Sequence, residues 1–153
     1  VRNDLALLEL AQPIRGTAVQ PFETGLRPRQ GDRVGVVSYA HDRAEAPSLP
    51  EACAVMARQD GILVMSCQIG FGSSGSPVFS FDTGRPQIVS VVSAMAQVNG
   101  EPVSLGTALA DPLADLRAQL AAGGGQAPVA GARITVGGAQ RDTGAKFVRP
   151  GGP

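Results

Sequence analysis

Apolar positions along this chain fall into short runs separated by turn-forming residues. Six runs read as strands: Arg33–Tyr39, Ala52–Ala57, Ile62–Cys67, Ser76–Phe81, Gln87–Ala96 and Leu105–Ala110. Gln59-Asp60-Gly61 separates the second and third, and Asp-Gly between two apolar runs is a strong hairpin signal. Asp82-Thr83-Gly84-Arg85-Pro86 turns between the fourth and fifth, and Asn99-Gly100 between the fifth and sixth. Asp111-Pro112 then opens a helix, with Asp111 as cap and Pro112 at the first helical position. Leu113, Leu116 and Leu120 recur at helical spacing and are expected to pack on the sheet. Ahead of all these, Asn3-Asp4-Leu5-Ala6-Leu7-Leu8-Glu9-Leu10 is a strand-like run opened by one acid, and residues 11–31, rich in Pro, Gly and Arg, read as a connection. Residues 122–153 open on Ala-Ala-Gly-Gly-Gly and read as a flexible tail or linker, with Arg133-Ile134-Thr135-Val136 as one short strand candidate.

Composition refines this all-β picture. The chain has 153 residues, 43% hydrophobic but only 4% aromatic and without Trp, so its core must be built from Val, Leu, Ile and Ala. The 20 Gly and 12 Pro suit many turns between short strands. Thirteen basic and 13 acidic residues cancel, which argues against nucleic acid or an anionic membrane as partner. No stretch approaches the length of a membrane span. Cys53 and Cys67 lie on the two runs joined by Asp60-Gly61, so they can face each other across a hairpin. A disulfide there would close a loop of about 15 residues, add roughly 3 kcal/mol and imply an oxidising compartment, either secretion or the periplasm. The alternative is a pair of buried free thiols. No His or acid cluster lies near them, so no metal site is expected.

The candidate chemistry lies in Gly72-Ser73-Ser74-Gly75-Ser76-Pro77, just before the strand residues Val78-Phe79. A serine between small neighbours suits a nucleophilic hydroxyl, because the backbone can turn tightly and a substrate carbonyl can approach without meeting a Cβ. The amides of Gly72 and Ser74 could then stabilise an oxyanion. By itself such a run is an ordinary turn, as Asn3-Asp4 by itself is an ordinary strand boundary. Together and in this order, the acid run and the serine run resemble those of the trypsin-like (chymotrypsin-fold) serine endopeptidases. The stretch Cys67–Phe79 looks most like the bacterial members with a Gly-x-Ser-Gly-Ser-Pro run.

That resemblance implies a chymotrypsin-like six-stranded antiparallel Greek-key barrel with a C-terminal helix over 32–121, the second barrel of a two-barrel protease. Residues 1–10 would be the last strand of the first barrel and 11–31 the inter-barrel connection. It implies Asp4 as the triad acid, Ser74 as the nucleophile and Gly72 and Ser74 as the oxyanion donors, with acyl transfer to Ser74 and no cofactor. In that family the histidine precedes the acid. The one histidine here, His41, falls between Asp4 and Ser74 and reads as an exposed loop residue, so the base is expected upstream of this chain. The chain would then be the C-terminal portion of a larger enzyme, inactive alone and associating with the missing first barrel.

The resemblance also maps a substrate pocket onto Gln68, Ile69, Gly70 and Phe71 on one side and Val92, Ser93, Ala94 and Met95 on the other. Ser93 matches the serine whose carbonyl pairs with extended substrate backbone, and Ala94 and Met95 would continue that edge for a peptide or protein substrate. No acid occupies the pocket base, which disfavours Arg or Lys before the scissile bond. Val92 replaces the histidine of the glutamate-specific branch, which disfavours glutamate, and Ile69 and Met95 narrow and grease the pocket, so a small or medium apolar residue is expected before the scissile bond. Ser73 stands where the digestive enzymes carry the aspartate that pairs with a newly cut amino terminus, so that activation route is not expected. Two further readings share these residues: a non-catalytic homologue that binds peptides or a protein partner in the same cleft, and an unrelated small β domain with a chance Gly-Ser turn.

Overall fold

A computed structural model describes residues 3–39, 47 and 52–124. The elements are β1 (Glu23–Thr24), β2 (Arg33–Val36), β3 (Cys53–Gln59), β4 (Ile62–Met65), β5 (Pro77–Ser80), β6 (Gln87–Val98), β7 (Glu101–Ala108) and α1 (Ala110–Ala121). His41 and the strand candidate Arg133–Val136 lie outside the described residues.

Strands β2 to β7 close into a six-stranded antiparallel barrel, in the order β2-β3-β4-β7-β6-β5 and back to β2. Three consecutive strands, β2, β3 and β4, lie side by side, and β5 returns beside β2, which is a Greek key. The hairpins β3–β4 and β6–β7 turn at Asp60-Gly61 and Asn99-Gly100. Both residues of each pair have positive φ (51° and 79°, 53° and 84°), the type I′ geometry whose twist matches the flanking strands. One residue type per position explains this: Asp and Asn tolerate the left-handed region and Gly occupies it freely.

Alternation puts the aliphatic face inside. Val34, Val36, Val55, Leu63, Met65, Cys67, Val78, Val89, Val92 and Ala108 form the core. Leu63 and Met65 are fully buried, each worth roughly 1.5–3 kcal/mol relative to exposure. A disulfide joins Cys53 to Cys67 with their Cα atoms 5.0 Å apart. It ties the start of β3 to the segment that leaves β4 for the Ser74 run.

Several boundaries differ from the sequence pattern. β2 stops at Val36 rather than Tyr39. β6 runs on to Val98 and β7 starts at Glu101, so this hairpin is longer than its apolar pattern. β1 is a two-residue strand inside the connection, parallel to β6 at Gln87 and Ile88. Gly31 N–H donates to the Val55 carbonyl and Val55 N–H to the Asp32 carbonyl, which straps the end of the connection to β3. Residues 4–10 form no strand among the described residues, and Leu8 is 84% exposed.

The helix start is a correction. α1 begins at Ala110 with Leu109 as N-cap, and no side chain caps it. Asp111 lies inside the first turn, where its negative charge still suits the N-terminal dipole, and it accepts instead from Arg27 Nη2. Pro112 falls within the first turn, where a missing N–H costs no intrahelical bond. Leu113, Leu116 and Leu120 are only half-buried, and the helix buries no residue completely.

Candidate active site

Ser74 sits on two consecutive tight turns between Gly70 and Ser76. Ser73 N–H donates to the Gly70 carbonyl at 3.3 Å, and Gly72, third in that turn, has φ 91°. Ser76 N–H donates to the Ser73 carbonyl at 3.1 Å, and Gly75, third in the second turn, has φ 82°. Positive φ at the third residue alone defines a type II turn, which needs glycine there. This accounts for the Gly-x-x-Gly spacing around the two serines without reference to any family. The type II form also fixes the Phe71–Gly72 peptide plane: a type I turn over the same residues would rotate it and exchange the Gly72 N–H for the Phe71 carbonyl.

Within this double turn Ser74 is exposed and Ser73 is buried, at 1% exposure. Ser73 is the hinge shared by both turns, and among the described residues its hydroxyl has no hydrogen-bond partner. The N–H groups of Gly72 and Ser74 also make no hydrogen bond among the described residues, whereas the N–H groups of Ser73, Gly75 and Ser76 are all engaged. The two amides expected to serve as oxyanion donors are therefore uncommitted and belong to exposed residues.

The double turn is stitched to β6. Gly75 N–H donates to the Val92 carbonyl at 2.8 Å, and Val92 N–H donates to the Ser76 carbonyl at 2.9 Å. The next residue, Ser93, is the extra residue of a β-bulge in the β6–β7 ladder, which passes from Val92–Gly106 to Ala94–Leu105. A bulge re-aims a side chain. The Ser93 hydroxyl donates to Asp4 Oδ2, and the Thr107 hydroxyl donates to the Asp4 carbonyl at 3.3 Å. Asp4, far from Ser74 in sequence, is thus held at the stretch of β6 that also holds the Ser74 turns.

The pocket residues divide. Gln68, Gly70 and Phe71 are exposed, Phe71 at 80%. Ile69 is half-buried against the core. Ser93 and Ala94 are half-buried and Met95 is exposed. Val92 is a core residue, and its backbone rather than its side chain faces the Ser74 turns. A separate cavity of 460 Å³ is lined by Asn3, Arg27, Arg58, Asp60, Asp111 and Asp115 among others, and none of the sequence-predicted site residues faces it. The roles of the Ser93 hydroxyl and of Thr107 carry no signal in the sequence, because they depend on the bulge and on the pairing of β6 with β7.

No protein-family model matches the chain. No curated protein matches it either. Among solved structures, the chain is similar to Rv3671c from M. tuberculosis H37Rv, determined as a serine-to-alanine mutant in an inactive form. The two share 16% identity with a TM-score of 0.54, over 73% of this chain and 57% of that one. The likeness is one of fold, and that fold is the chymotrypsin-like barrel with a C-terminal helix. The chain spans a little over half the length of the structure it matches.

Proposed function

We propose that this chain carries the nucleophile and acid of a serine endopeptidase. The observation that supports it best is the coupling of Asp4, through the Ser93 hydroxyl, to the stretch of β6 that braces the Ser74 turns. The uncommitted amides of Gly72 and Ser74 and the chymotrypsin-like barrel point the same way. In this reading Ser74 Oγ attacks a peptide carbonyl and passes its proton to a histidine supplied by a first barrel. Asp4 orients that histidine and stabilises its cation. The Gly72 and Ser74 amides bind the oxyanion. The histidine returns the proton to the leaving amine as the C–N bond breaks, and water then hydrolyses the Ser74 ester.

The substrate is a peptide or protein with a small or medium apolar residue before the scissile bond, received beside Ile69 and along Ser93, Ala94 and Met95. The Cys53–Cys67 disulfide supports an oxidising compartment for this protein, outside the cell or in the periplasm.

The test is fluorophosphonate labelling of the protein expressed from its complete reading frame, with Ser74→Ala as control. Labelling at Ser74 is the expected result. A folded full-length protein that stays unlabelled would sink the enzyme reading in favour of a peptide-binding homologue.

A further inference from the structure

The β6–β7 hairpin extends past the rest of the barrel. On one side, β4 pairs with β7 only from Ser104 to Thr107. On the other, β5 pairs with β6 only from Gln87 to Val91, and the Ser74 turns bond β6 at Val92. Beyond these points Ala94–Val98 and Glu101–Val103 pair only within the hairpin among the described residues.

Which backbone groups face outward follows from the turn. A two-residue type I′ hairpin is closed by a hydrogen-bonded pair, here Val98 and Glu101. Alternation then makes Ala96–Val103 and Ala94–Leu105 hydrogen-bonded pairs, and leaves Gln97–Pro102 and Met95–Ser104 non-bonded across the hairpin. Pro102 has no N–H to offer and sits where none is needed, an independent check on this phase. The bulge at Ser93 accounts for the switch: Val92 turns its N–H and carbonyl away from β7, and after one extra residue Met95 and Gln97 do so.

The two edges of the projecting hairpin are therefore unlike. The β7 edge is capped by Pro102, which lacks a donor, next to the charged Glu101, both features that discourage strand addition. Among the described residues, the β6 edge presents the full donor and acceptor pairs of Met95 and Gln97, both exposed. It runs straight out from the Ser74 turns.

Resting on the proposed function, we infer that Gln97 is a second backbone docking point for substrate, and that the enzyme acts on extended segments with at least five residues before the scissile bond. A substrate strand antiparallel to β6, with the residue before the scissile bond beside Ser93, brings its third residue opposite Met95 and its fifth opposite Gln97. The fifth residue exchanges two main-chain hydrogen bonds with Gln97. Its fourth residue turns its amide away from β6. Folded loops too short to lie along this edge are poor substrates, and unfolded or extended chain is preferred.

The test uses the full-length protein and chromogenic peptides with three or five residues before the cleaved bond. Two added main-chain hydrogen bonds should raise kcat/KM about tenfold from three residues to five. N-methylation of the fifth residue's amide should abolish that gain, and N-methylation of the fourth should leave it. Gln97→Pro, which copies Pro102 across the ladder and removes only the outward donor, should lower the five-to-three ratio to about threefold. Equal rates for three and five residues, or a gain that survives N-methylation of the fifth, overturn the inference while leaving the protease reading intact. If no peptide is hydrolysed, the protease reading fails, and amide hydrogen exchange with the five-residue peptide acid decides the edge. Slowed exchange at Met95 and Gln97 upholds the docking point; unchanged exchange at Gln97 removes it.

Discussion

Breaking the Cys53–Cys67 crosslink gives a stability change whose size follows from the structure. The two cysteines are 14 positions apart and enclose a 15-residue loop. In the chain-entropy account, closing a loop of that size removes about 3 kcal/mol of freedom from the unfolded chain. Residual structure in the unfolded chain lowers that figure, and the Asp60-Gly61 turn already favours the hairpin, so about 2–3 kcal/mol is expected. Cys67 is buried at 4% exposure, so Ala is the replacement that leaves no new polar group inside. With a urea m-value of about 2 kcal/mol/M, the Cys53→Ala/Cys67→Ala variant should unfold at a midpoint about 1–1.5 M lower, followed by circular dichroism. Each single variant should lose a similar amount, since either one opens the loop. A midpoint shift below about 0.3 M in the double variant would show that the crosslink does not constrain the unfolded chain, and the reasoning would fall.

Two other substitutions probe the site and the barrel. Gly72→Ala places a Cβ at φ 91°, a region costing roughly 1–2 kcal/mol for an L-residue, so the Gly70–Ser73 turn should relax to type I and withdraw its donor. Under the proposed function, labelling of Ser74 by a fluorophosphonate should slow by about 10²–10³ with the fold retained; a rate within threefold of the parent counts against Gly72 as a donor. Gly106→Ala would push a Cβ against Ser90 Oγ, to 3.1 Å from Met65 Cε and 3.2 Å from the Val91 carbonyl. Backbone and buried atoms there cannot give way cheaply, so urea unfolding should show a loss of about 1–3 kcal/mol, and a loss under about 0.5 kcal/mol would contradict the packing described.

The barrel was legible because its strands alternate and its two hairpin turns carry Asp-Gly and Asn-Gly, residues whose backbone preference states the turn type locally. What escaped the pattern depended on partners. β1 is Glu-Thr, with no apolar signal, and exists because Gln87 and Ile88 offer it an edge. The hairpin end Glu101-Pro102 reads as loop until the outward phase of Pro102 is known. Asp111 looks like a helix cap, but Arg27 takes its carboxylate. The Ser74 run and Asp4 stood out by their residue types, and the glycines at 72 and 75 fit turns that only glycine permits. The bulge that turns Ser93 toward Asp4 was invisible, because one extra residue in a ladder leaves no mark on an apolar run.

The closed Greek key also governs when the Ser74 turns acquire their shape. Strand β2 pairs with β5, and β4 with β7, between residues far apart in sequence, so closure must await loop formation that is costly in entropy. The disulfide-linked β3–β4 hairpin and the β6–β7 hairpin can form early from local contacts. The turns around Ser74 cannot, because their braces come from Val92 on a strand that joins through β5 and β7. Asp4 likewise lacks its two hydroxyl contacts until Ser93 and Thr107 are brought together by the β6–β7 pairing. A partly folded or nascent chain therefore carries the serine without its surroundings. Under the proposed function, this order of assembly keeps an immature chain from attacking its neighbours.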